Sequence, residues 1–301
     1  MITYYKKALK DRKLKKLKSY EKGCWVNVVN PTEKEIKYLS ETYELDEQNI
    51  ISGTDKNEIP RVEKSEEGIY ILLKILSPNK KELETFLIVI TKNFILTLSR
   101  TQPKFITNLI DGTTKFTTTL KITSLLKLLA TINEEFEKAT LRIVRRVNSE
   151  KKSLIDKLSE RDINSLLLQE DTLNNYVSSY YYTSLVYERI IKHIKLLDED
   201  KEQMEDLKIE ARQGLDLCRA SLKKISNLRN HLEVTLSNKL NKLITALTVF
   251  TILITVPAAI SGIYGMNITL PLQNNPFAFY YILASIVAIW GIFIFYLKQK
   301  N

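Results

Sequence analysis

The sequence predicts an α+β domain followed by a long stalk helix and two C-terminal transmembrane helices. Three observations lead to this prediction: strand and helix signals mix over the first part of the chain, helix breakers are almost absent from its middle, and two uncharged apolar runs lie near its end. The 301 residues are 44% hydrophobic, which is ordinary for a globular protein, but the apolar residues are concentrated towards the C-terminus. Composition therefore predicts a highly charged soluble part joined to a small membrane part.

Residues 1–120 are predicted to form a small α/β domain. Residues 24–29 have a strand pattern, and the next helix is predicted to begin after Pro31, where Thr32 and Glu35 form a capping box. Residues 68–75 and 85–99 are rich in Ile, Leu, Val and Phe. Because Lys92 and Asn93 interrupt the second run, it is predicted to fold as a hairpin.

Residues 121–242 are predicted to be helical. No proline occurs between Pro103 and Pro257, and Gly214 is the only glycine from residue 113 to residue 256. Leucine and isoleucine recur at three- and four-residue steps over residues 222–243, as in the core of a helical bundle. Because this stripe continues without a breaker into an apolar segment, a stalk helix is predicted over about residues 201–262.

Two segments are long and apolar enough to be transmembrane helices. Residues 243–262 and 278–297 contain no charged residue, and each has about the twenty residues needed to cross a hydrocarbon core of roughly 30 Å. The second segment contains Trp290 and has Tyr280, Tyr281 and Tyr296 near its ends, as in an interfacial aromatic belt. Residues 263–277 then form a short loop, and residues 298–301 form a basic tail.

The charges that flank the two spans predict their orientation. Lys239 and Lys242 precede the first span, Lys298 and Lys300 follow the second, and the loop between the spans carries no Lys, Arg, Asp or Glu. By the positive-inside rule both termini are cytoplasmic and the loop is external. The sequence therefore predicts a multi-pass protein of the cell membrane, with the lipid bilayer as a partner.

The first span carries polar side chains on one face. Asn241, Thr245, Thr248 and Thr255 fall within a narrow arc at 100° per residue. A threonine in a membrane can simply bond to its own helix carbonyls, but four polar residues on one face favour a face turned towards water. The full set of predicted pore-lining residues is Asn241, Thr245, Thr248, Ile252, Thr255, Ala259 and Gly262.

A single helix cannot enclose a channel, so a pore requires several copies of the chain around one axis. Neutral oxygens would line such a pore, and they can hydrogen-bond the water shell of an ion without removing it. Mg²⁺ holds its waters firmly and accepts such outer contacts. The polar stripe therefore predicts a symmetric homo-oligomer that passes a hydrated cation.

Enzymatic chemistry has no support in the sequence. There is no Gly-x-x-x-x-Gly-Lys phosphate loop, and His193 and His231 are isolated from each other and from other ligands. Neither a catalytic residue nor a bound cofactor is predicted. The net charge of +10 and the lysines of residues 6–22 leave one alternative open, a membrane-anchored basic scaffold without transport activity. Because a scaffold does not explain the polar stripe, nucleic acid is not an expected partner.

The first span is followed at once by Tyr264-Gly265-Met266-Asn267. In this position, before a short loop and a last span that ends in lysine, the motif resembles the signature of the CorA family of magnesium and cobalt transporters. The resemblance is close over residues 238–301 and looser over residues 25–31, 60–63 and 70–73.

The resemblance implies a CorA-like homopentameric funnel with a pore lined by the first membrane helix. It implies that Gly265, Met266 and Asn267 form the selectivity filter, and that Asn241 forms a polar ring near the cytoplasmic mouth. Family members sense intracellular Mg²⁺ through acidic residues between subunits. Asp206 and Glu210 are the candidates for this regulatory metal site, although they fit equally well as solvated carboxylates on a helix of mixed charge.

The implied function is passive transport of divalent cations, driven by the membrane potential and gated by cytoplasmic Mg²⁺. Mg²⁺ uptake is the first expectation, and Co²⁺ and Ni²⁺ are further candidates. A Zn²⁺ transporter of the same family and an exporter remain alternatives at this stage.

Overall fold

The computed structural model describes residues 1–8, 11, 13–78, 82–112, 116–156, 160–272 and 274–300, with their side chains except at residues 150–156, 160–162, 296–298 and 300. The predicted aromatic belt residue Tyr296, the side chains of Lys298 and Lys300, and Asn301 in the basic tail therefore lie outside what is described. The chain divides into two compact units, Met1–Leu228 and Arg229–Asn301.

The first unit contains a mixed sheet with the strand order β2-β1-β3-β7-β6-β5-β4. Neighbouring strands are antiparallel except for β3 and β7, which are parallel. The predicted strand at residues 24–29 and the hairpin broken at Lys92-Asn93 are confirmed as β3 and as the pair β6–β7. The strands are β1 (Ile2–Lys6), β2 (Lys15–Leu17), β3 (Trp25–Val29), β4 (Arg61–Lys64), β5 (Gly68–Leu76), β6 (Leu83–Thr91) and β7 (Ile95–Ser99).

The described residues also form seven helices. They are α1 (Glu33–Tyr43), α2 (Glu47–Ser52), α3 (Lys104–Ile110), α4 (Lys121–Asp156), α5 (Glu160–His193), α6 (Asp198–Tyr264) and α7 (Ala278–Lys300). The predicted capping box is confirmed at the start of α1, where the Glu35 amide donates to Thr32 Oγ1 at 3.3 Å and the Thr32 amide donates to Glu35 Oε2 at 2.9 Å.

The sheet is covered on both faces. On one face, strand residues such as Val26 and Leu72 form a buried cluster with Leu39 of α1. On the other face, Trp25 is fully buried, lies against the ring of Phe116 and donates from Nε1 to Thr97 Oγ1 at 2.8 Å. Burial on both faces explains why the strands have nearly continuous apolar runs instead of an alternating pattern.

Helices α4, α5 and the first part of α6 form the helical side of the first unit. Tyr180 of α5 is buried, and its hydroxyl lies 3.2 Å from Thr140 Oγ1 of α4. A Cβ atom placed on Gly214 of α6 would lie 2.4 Å from the ring of Tyr180. The one glycine in this long helical stretch is therefore the position at which α6 approaches an aromatic ring of α5 closely.

Among the described residues, two helices are long and apolar enough to span a membrane, namely α6, whose C-terminal part lies in the second unit, and α7. The most apolar 18-residue window of α6 has none of its residues buried, and in the corresponding window of α7 the buried share is 6%. The core helix of a soluble protein would be mostly covered by its own chain. These apolar surfaces instead need lipid or other chains to remove them from water.

Candidate functional site

All of the predicted pore-lining residues lie on the C-terminal part of α6. The helix continues through Pro257, so residues 241–262 keep their helical spacing. The three threonines and Asn241 are exposed, whereas Ile252 is partly buried. At 3.6 residues per turn the seven positions share an arc of about 100° on the surface of α6. The predicted stripe is therefore continuous along one side of the span.

The threonine hydroxyls of the stripe donate to carbonyls of their own helix. Thr245 Oγ1 donates to the Asn241 carbonyl at 2.8 Å, and Thr255 Oγ1 donates to the Thr251 carbonyl at 2.7 Å. Thr248 Oγ1 bonds in the same way to the Ile244 carbonyl at 2.8 Å. Each hydroxyl hydrogen is thus used within the helix, and the oxygen lone pairs remain available as acceptors.

The same backbone bond occurs away from the stripe. Thr251 Oγ1 donates to the Leu247 carbonyl at 2.9 Å, although Thr251 lies about 80° from the centre of the stripe. This bond therefore does not distinguish a water-facing threonine from a lipid-facing one. What distinguishes the stripe is the number of acceptor oxygens that share one face.

The loop between α6 and α7 begins where α6 ends at Tyr264. The Gly265 amide donates to the Ser261 carbonyl at 2.9 Å, which closes the last helical turn. A Cβ atom on Gly265 would lie 3.3 Å from that same carbonyl oxygen, so a side chain would crowd the helix end. Met266 is 54% exposed and Asn267 is also exposed. The Met266 and Asn267 side chains are therefore both exposed in the single chain, directly beyond the end of α6.

Two contacts shape the rest of this loop. The Tyr264 hydroxyl donates to the Pro271 carbonyl at 3.4 Å, which brings the later part of the loop back to the end of α6. Before α7, Asn275 Oδ1 accepts a hydrogen bond from the Phe277 amide at 2.9 Å. Asn275 therefore caps the turn into α7, and Gln273 of this loop lies outside the described residues.

The two candidate regulatory carboxylates lie one turn apart on α6 in the first unit. Asp206 and Glu210 are both exposed. Glu210 Oε2 accepts a hydrogen bond from Asn133 Nδ2 of α4 at 3.2 Å, and it lines a cavity of about 470 Å³ together with Glu137. Within the described residues, no group of three or more His, Cys, Asp and Glu side chains is arranged to hold a metal ion.

Asn133 is held in place by Tyr187 of α5. The Tyr187 hydroxyl donates to Asn133 Oδ1 at 2.8 Å, and Asn133 Nδ2 also donates to the Leu207 carbonyl at 2.9 Å. Burial raises the pKa of Tyr187, with the negative charge of Glu210 as a smaller cause, so its hydroxyl remains a donor. The tyrosine thereby fixes the amide orientation that points nitrogen towards Glu210. Sequence analysis missed this network, although a polar Asn133 between buried Ile132 and Phe136 was a signal for it.

Comparisons with known proteins identify the family and the fold of the chain. A sequence model of the family described as CorA-like Mg²⁺ transporter protein matches residues 20–299. The cobalt/magnesium transport protein CorA of Methanocaldococcus jannaschii is 29% identical over 296 residues, which cover 92% of this chain and 90% of that protein.

Solved structures show the same fold. The complete CorA magnesium transporter from Methanocaldococcus jannaschii matches with a TM-score of 0.85 at 24% identity, over 100% of this chain and 98% of that one. Full-length CmaX matches with a TM-score of 0.79 at 12% identity, over 99% and 97% of the two chains. The ZntB cytoplasmic domain from Vibrio parahaemolyticus matches with a TM-score of 0.66 at 9% identity, over 78% of this chain and 98% of that domain.

These likenesses confirm the predicted fold class of an N-terminal α/β domain, a long helix and a C-terminal helix. The family match extends over nearly the whole length of the chain, from the sheet to α7. The chain belongs to the family of CorA-like Mg²⁺ transporter proteins.

Proposed function

We propose that the protein carries hydrated Mg²⁺ passively into the cell through a pore that several copies of α6 enclose. One observation carries the proposal: four oxygen-bearing side chains share one face of a mainly apolar helix segment that is not covered by its own chain. Family membership supports a transporter and not an enzyme.

The hydrogen-bond state of the threonines suits a hydrated cation. Water bound to Mg²⁺ points its oxygen at the ion and its hydrogens outward, so the hydrated ion needs acceptors around it. Because Thr245, Thr248 and Thr255 donate to their own helix, they offer acceptors to the lumen. A hydrated anion, whose outer shell needs donors, gains less from such a wall.

The outer motif supplies the entrance. Asn267 carries a neutral amide whose oxygen can accept hydrogen bonds from the water shell, and several copies would place a ring of such oxygens outside α6. Residues 241–277 contain no Asp, Glu, Cys or His. Oxygen ligands without thiolate or imidazole favour a hard cation such as Mg²⁺ over Zn²⁺. The same neutrality predicts weak electrostatic recruitment of the ion from outside.

The assembly is proposed to be a homopentamer with both termini in the cytoplasm of a cell-membrane protein. The pentamer is the assembly implied by the resemblance to the CorA family. Near the outer end of the stripe, Ala259 and Gly262 are small, and an added Cβ on Gly262 would meet nothing within 4 Å in the single chain. Small residues allow helices in membranes to approach one another closely. Lys239 and Lys242, together with the uncharged outer loop, support the orientation.

The membrane potential is sufficient as the energy source. Two charges that move inward through −100 mV gain roughly 4.6 kcal/mol. This energy sustains a concentration ratio of more than about a thousandfold at equilibrium. Uptake therefore needs no coupled hydrolysis, which agrees with the absence of a phosphate-binding loop in the sequence.

Gating by cytoplasmic Mg²⁺ is proposed to act at Asp206 and Glu210. Glu210 is already oriented by Asn133, and its carboxylate retains acceptor capacity for a hydrated ion. The described part of one chain does not bring together enough ligands here to hold a metal ion, so the remaining ligands would come from a neighbouring copy. Asp206→Asn should raise the internal Mg²⁺ concentration that halves uptake. Asp216→Asn on the same helix is the matched control and should leave this concentration unchanged.

The test is Mg²⁺ uptake into liposomes that contain the purified protein and an internal Mg²⁺-sensitive dye. A potassium gradient with valinomycin sets the inside-negative potential. We expect uptake that increases with the potential and that falls about tenfold in Asn267→Ala, because each copy loses an acceptor that contacts the charged hydrated ion. Asn274→Ala, in the same loop, is the control and should keep native uptake.

Each alternative has its own outcome in this assay. A basic scaffold would give no flux at any potential, which would overturn the proposal. Zn²⁺ uptake that exceeds Mg²⁺ uptake at equal concentration and potential would identify a zinc transporter. Uptake by Asn267→Ala equal to that of the native chain would remove Asn267 from the filter.

A further inference from the structure

A cavity in the first unit, separate from the proposed ion pathway, has the features of a small-molecule site. It measures about 450 Å³ and lies between α5 and the strands β5 and β6 with the loop that precedes β4. Cavities of about 300–1,000 Å³ are the usual size for small ligands. Its apolar lining includes Pro60, Leu76, Leu83 and Tyr176, so it can hold the body of an organic molecule.

Among the described residues that line this cavity, one polar group lacks an ion-pair partner, and a second lacks a hydrogen-bond partner. Lys74 is partly buried, and its ammonium donates only to neutral oxygens, the Lys56 carbonyl at 2.6 Å and Thr85 Oγ1 at 3.1 Å. No carboxylate contacts it among the ion pairs of the described residues. Ser179 of α5 is 3% exposed, and its hydroxyl has no hydrogen-bond partner in the described part of the chain. Buried polar atoms without a partner are rare in folded proteins.

The other charges that line the cavity are already paired. Glu82 accepts from Lys56 Nζ at 2.6 Å, and Glu58 forms an ion pair with Arg61. Lys74 is therefore the cationic group that lacks an ionic partner in the lining. Burial lowers the pKa of Lys74 from its ordinary value, and the negative charges of Asp55 and Glu58, which form no ion pair with it, oppose this effect without cancelling it.

We propose that this cavity binds a small organic anion, whose charged group pairs with Lys74 and whose polar atoms satisfy Ser179. An anion supplies the two missing interactions at once, and the apolar walls accept its carbon skeleton. Because Lys74 lies on β5 and Ser179 lies on α5, the bound anion would link the sheet to α5. The proposal is independent of transport, since every residue that carries it lies in the first unit.

The test uses the full chain in detergent and 1-naphthoate as the probe, measured by isothermal titration calorimetry. The neutral 1-naphthamide has nearly the same shape and is the matched ligand. We expect naphthoate to bind at least about tenfold more tightly than naphthamide, because a charge-assisted bond to a partly buried ammonium is the stronger kind. Lys74→Gln should weaken naphthoate binding by about tenfold. Lys37→Gln, at an exposed position of α1, is the matched control and should leave the affinity unchanged.

Ser179→Ala gives a second, independent result. If the hydroxyl serves only the ligand, its removal weakens naphthoate binding by about threefold to tenfold and raises the melting temperature of the ligand-free protein. A structural serine would instead lower that temperature when it is removed. The proposal is overturned if naphthoate shows no saturable binding up to about 10 mM. It is also overturned if naphthamide binds equally well, or if neither substitution changes the affinity for naphthoate.

Discussion

Replacement of Thr248 by valine tests whether the polar stripe of α6 faces water. Valine has nearly the shape of threonine, so the change removes one hydroxyl and little else. In the structure the Thr248 hydroxyl donates to the Ile244 carbonyl, so its contribution to the proposed lumen would be its acceptor capacity. Thr251→Val is the matched control, because Thr251 makes the same bond to the Leu247 carbonyl at 2.9 Å but lies about 80° from the centre of the stripe.

The size of the effect follows from the number of acceptors that one ion contacts. A net hydrogen bond contributes about 0.5–1.5 kcal/mol. In the proposed pore, each copy of the chain contributes one Thr248 hydroxyl at the same level. If the hydrated ion contacts two of these hydroxyls at a time, the substitution raises the free-energy barrier to permeation by about 1–3 kcal/mol. The rate of Mg²⁺ uptake should then fall between about fivefold and 150-fold, since about 1.4 kcal/mol corresponds to a factor of ten.

The assay is dye-monitored Mg²⁺ uptake in liposomes at a fixed potential, normalised to the amount of assembled protein found by size-exclusion chromatography. We expect Thr248→Val to be slow and Thr251→Val to be close to native. If both substitutions reduce uptake equally, the shared backbone bond is responsible and the stripe has no special role. If Thr248→Val transports at the native rate, the stripe does not line the pathway.

Two further predictions concern the stability of the first unit. Gly214→Ala should destabilise the protein by about 1–3 kcal/mol, because the new Cβ would lie 2.4 Å from the ring of Tyr180. Thermal unfolding in detergent measures the change, and in combination with Tyr180→Leu the cost should be less than additive; an additive cost would contradict the steric explanation. Thr32→Ala should remove the side-chain acceptor of the α1 cap at a cost of about 1 kcal/mol. The Glu35 pKa should stay below its ordinary value, because the backbone amide of residue 32, which chiefly lowers it, is kept in the variant. A Glu35 pKa that returned to the ordinary carboxyl value on titration by NMR would contradict this explanation. Because the Glu35 pKa is lowered in the folded state, the stabilisation by the charged Glu35 carboxylate is present above the ordinary carboxyl pKa and is lost as the pH falls through the folded value.

Sequence patterns predicted the buried strands that have strong apolar runs, but not the strands that depend on pairing with a neighbouring strand. Strands β3, β5, β6 and β7 are rich in branched and aromatic residues, and both sheet faces bury them. Strand β1 carries two tyrosines and a lysine and is held by its register with β3, in which Tyr4 lies opposite Val26. Strand β2 has only three residues and pairs with β1. Such short strands form because a neighbour supplies hydrogen bonds, and this information is not local.

The helices, like the strands, were predicted where the signal is local and missed where it depends on distant residues. The absence of proline and glycine predicted long helices, and the stalk helix predicted over about residues 201–262 is confirmed as α6, although neither residue type marks the break between α5 and α6. The acidic first turn of α6, with Asp198, Glu199 and Asp200, was the available signal for that start. The bond between Asn133 and Glu210 joins positions 77 residues apart, so no periodicity could reveal it.

The membrane segment differs from both cases, because its chemistry is local while its burial depends on what surrounds the chain. In the single chain the apolar residues Leu247 and Phe250 are as uncovered as Thr245 and Thr248 on the stripe. Burial therefore does not separate the two sides of α6. Only side-chain chemistry separates them, since acyl chains solvate leucine and phenylalanine well and leave threonine acceptors without a donor.

The proposed assembly would account for this asymmetry, because it turns one side of each α6 towards lipid and the other towards a shared aqueous axis. In that assembly, helical periodicity determines which residues share a side, and side-chain chemistry determines which side faces the axis. The number of copies would change only the curvature of the wall of helices. Comparison of Thr248→Val with Thr251→Val therefore tests the assembly itself, because the two threonines are equivalent within one chain and become different only when several chains enclose a lumen.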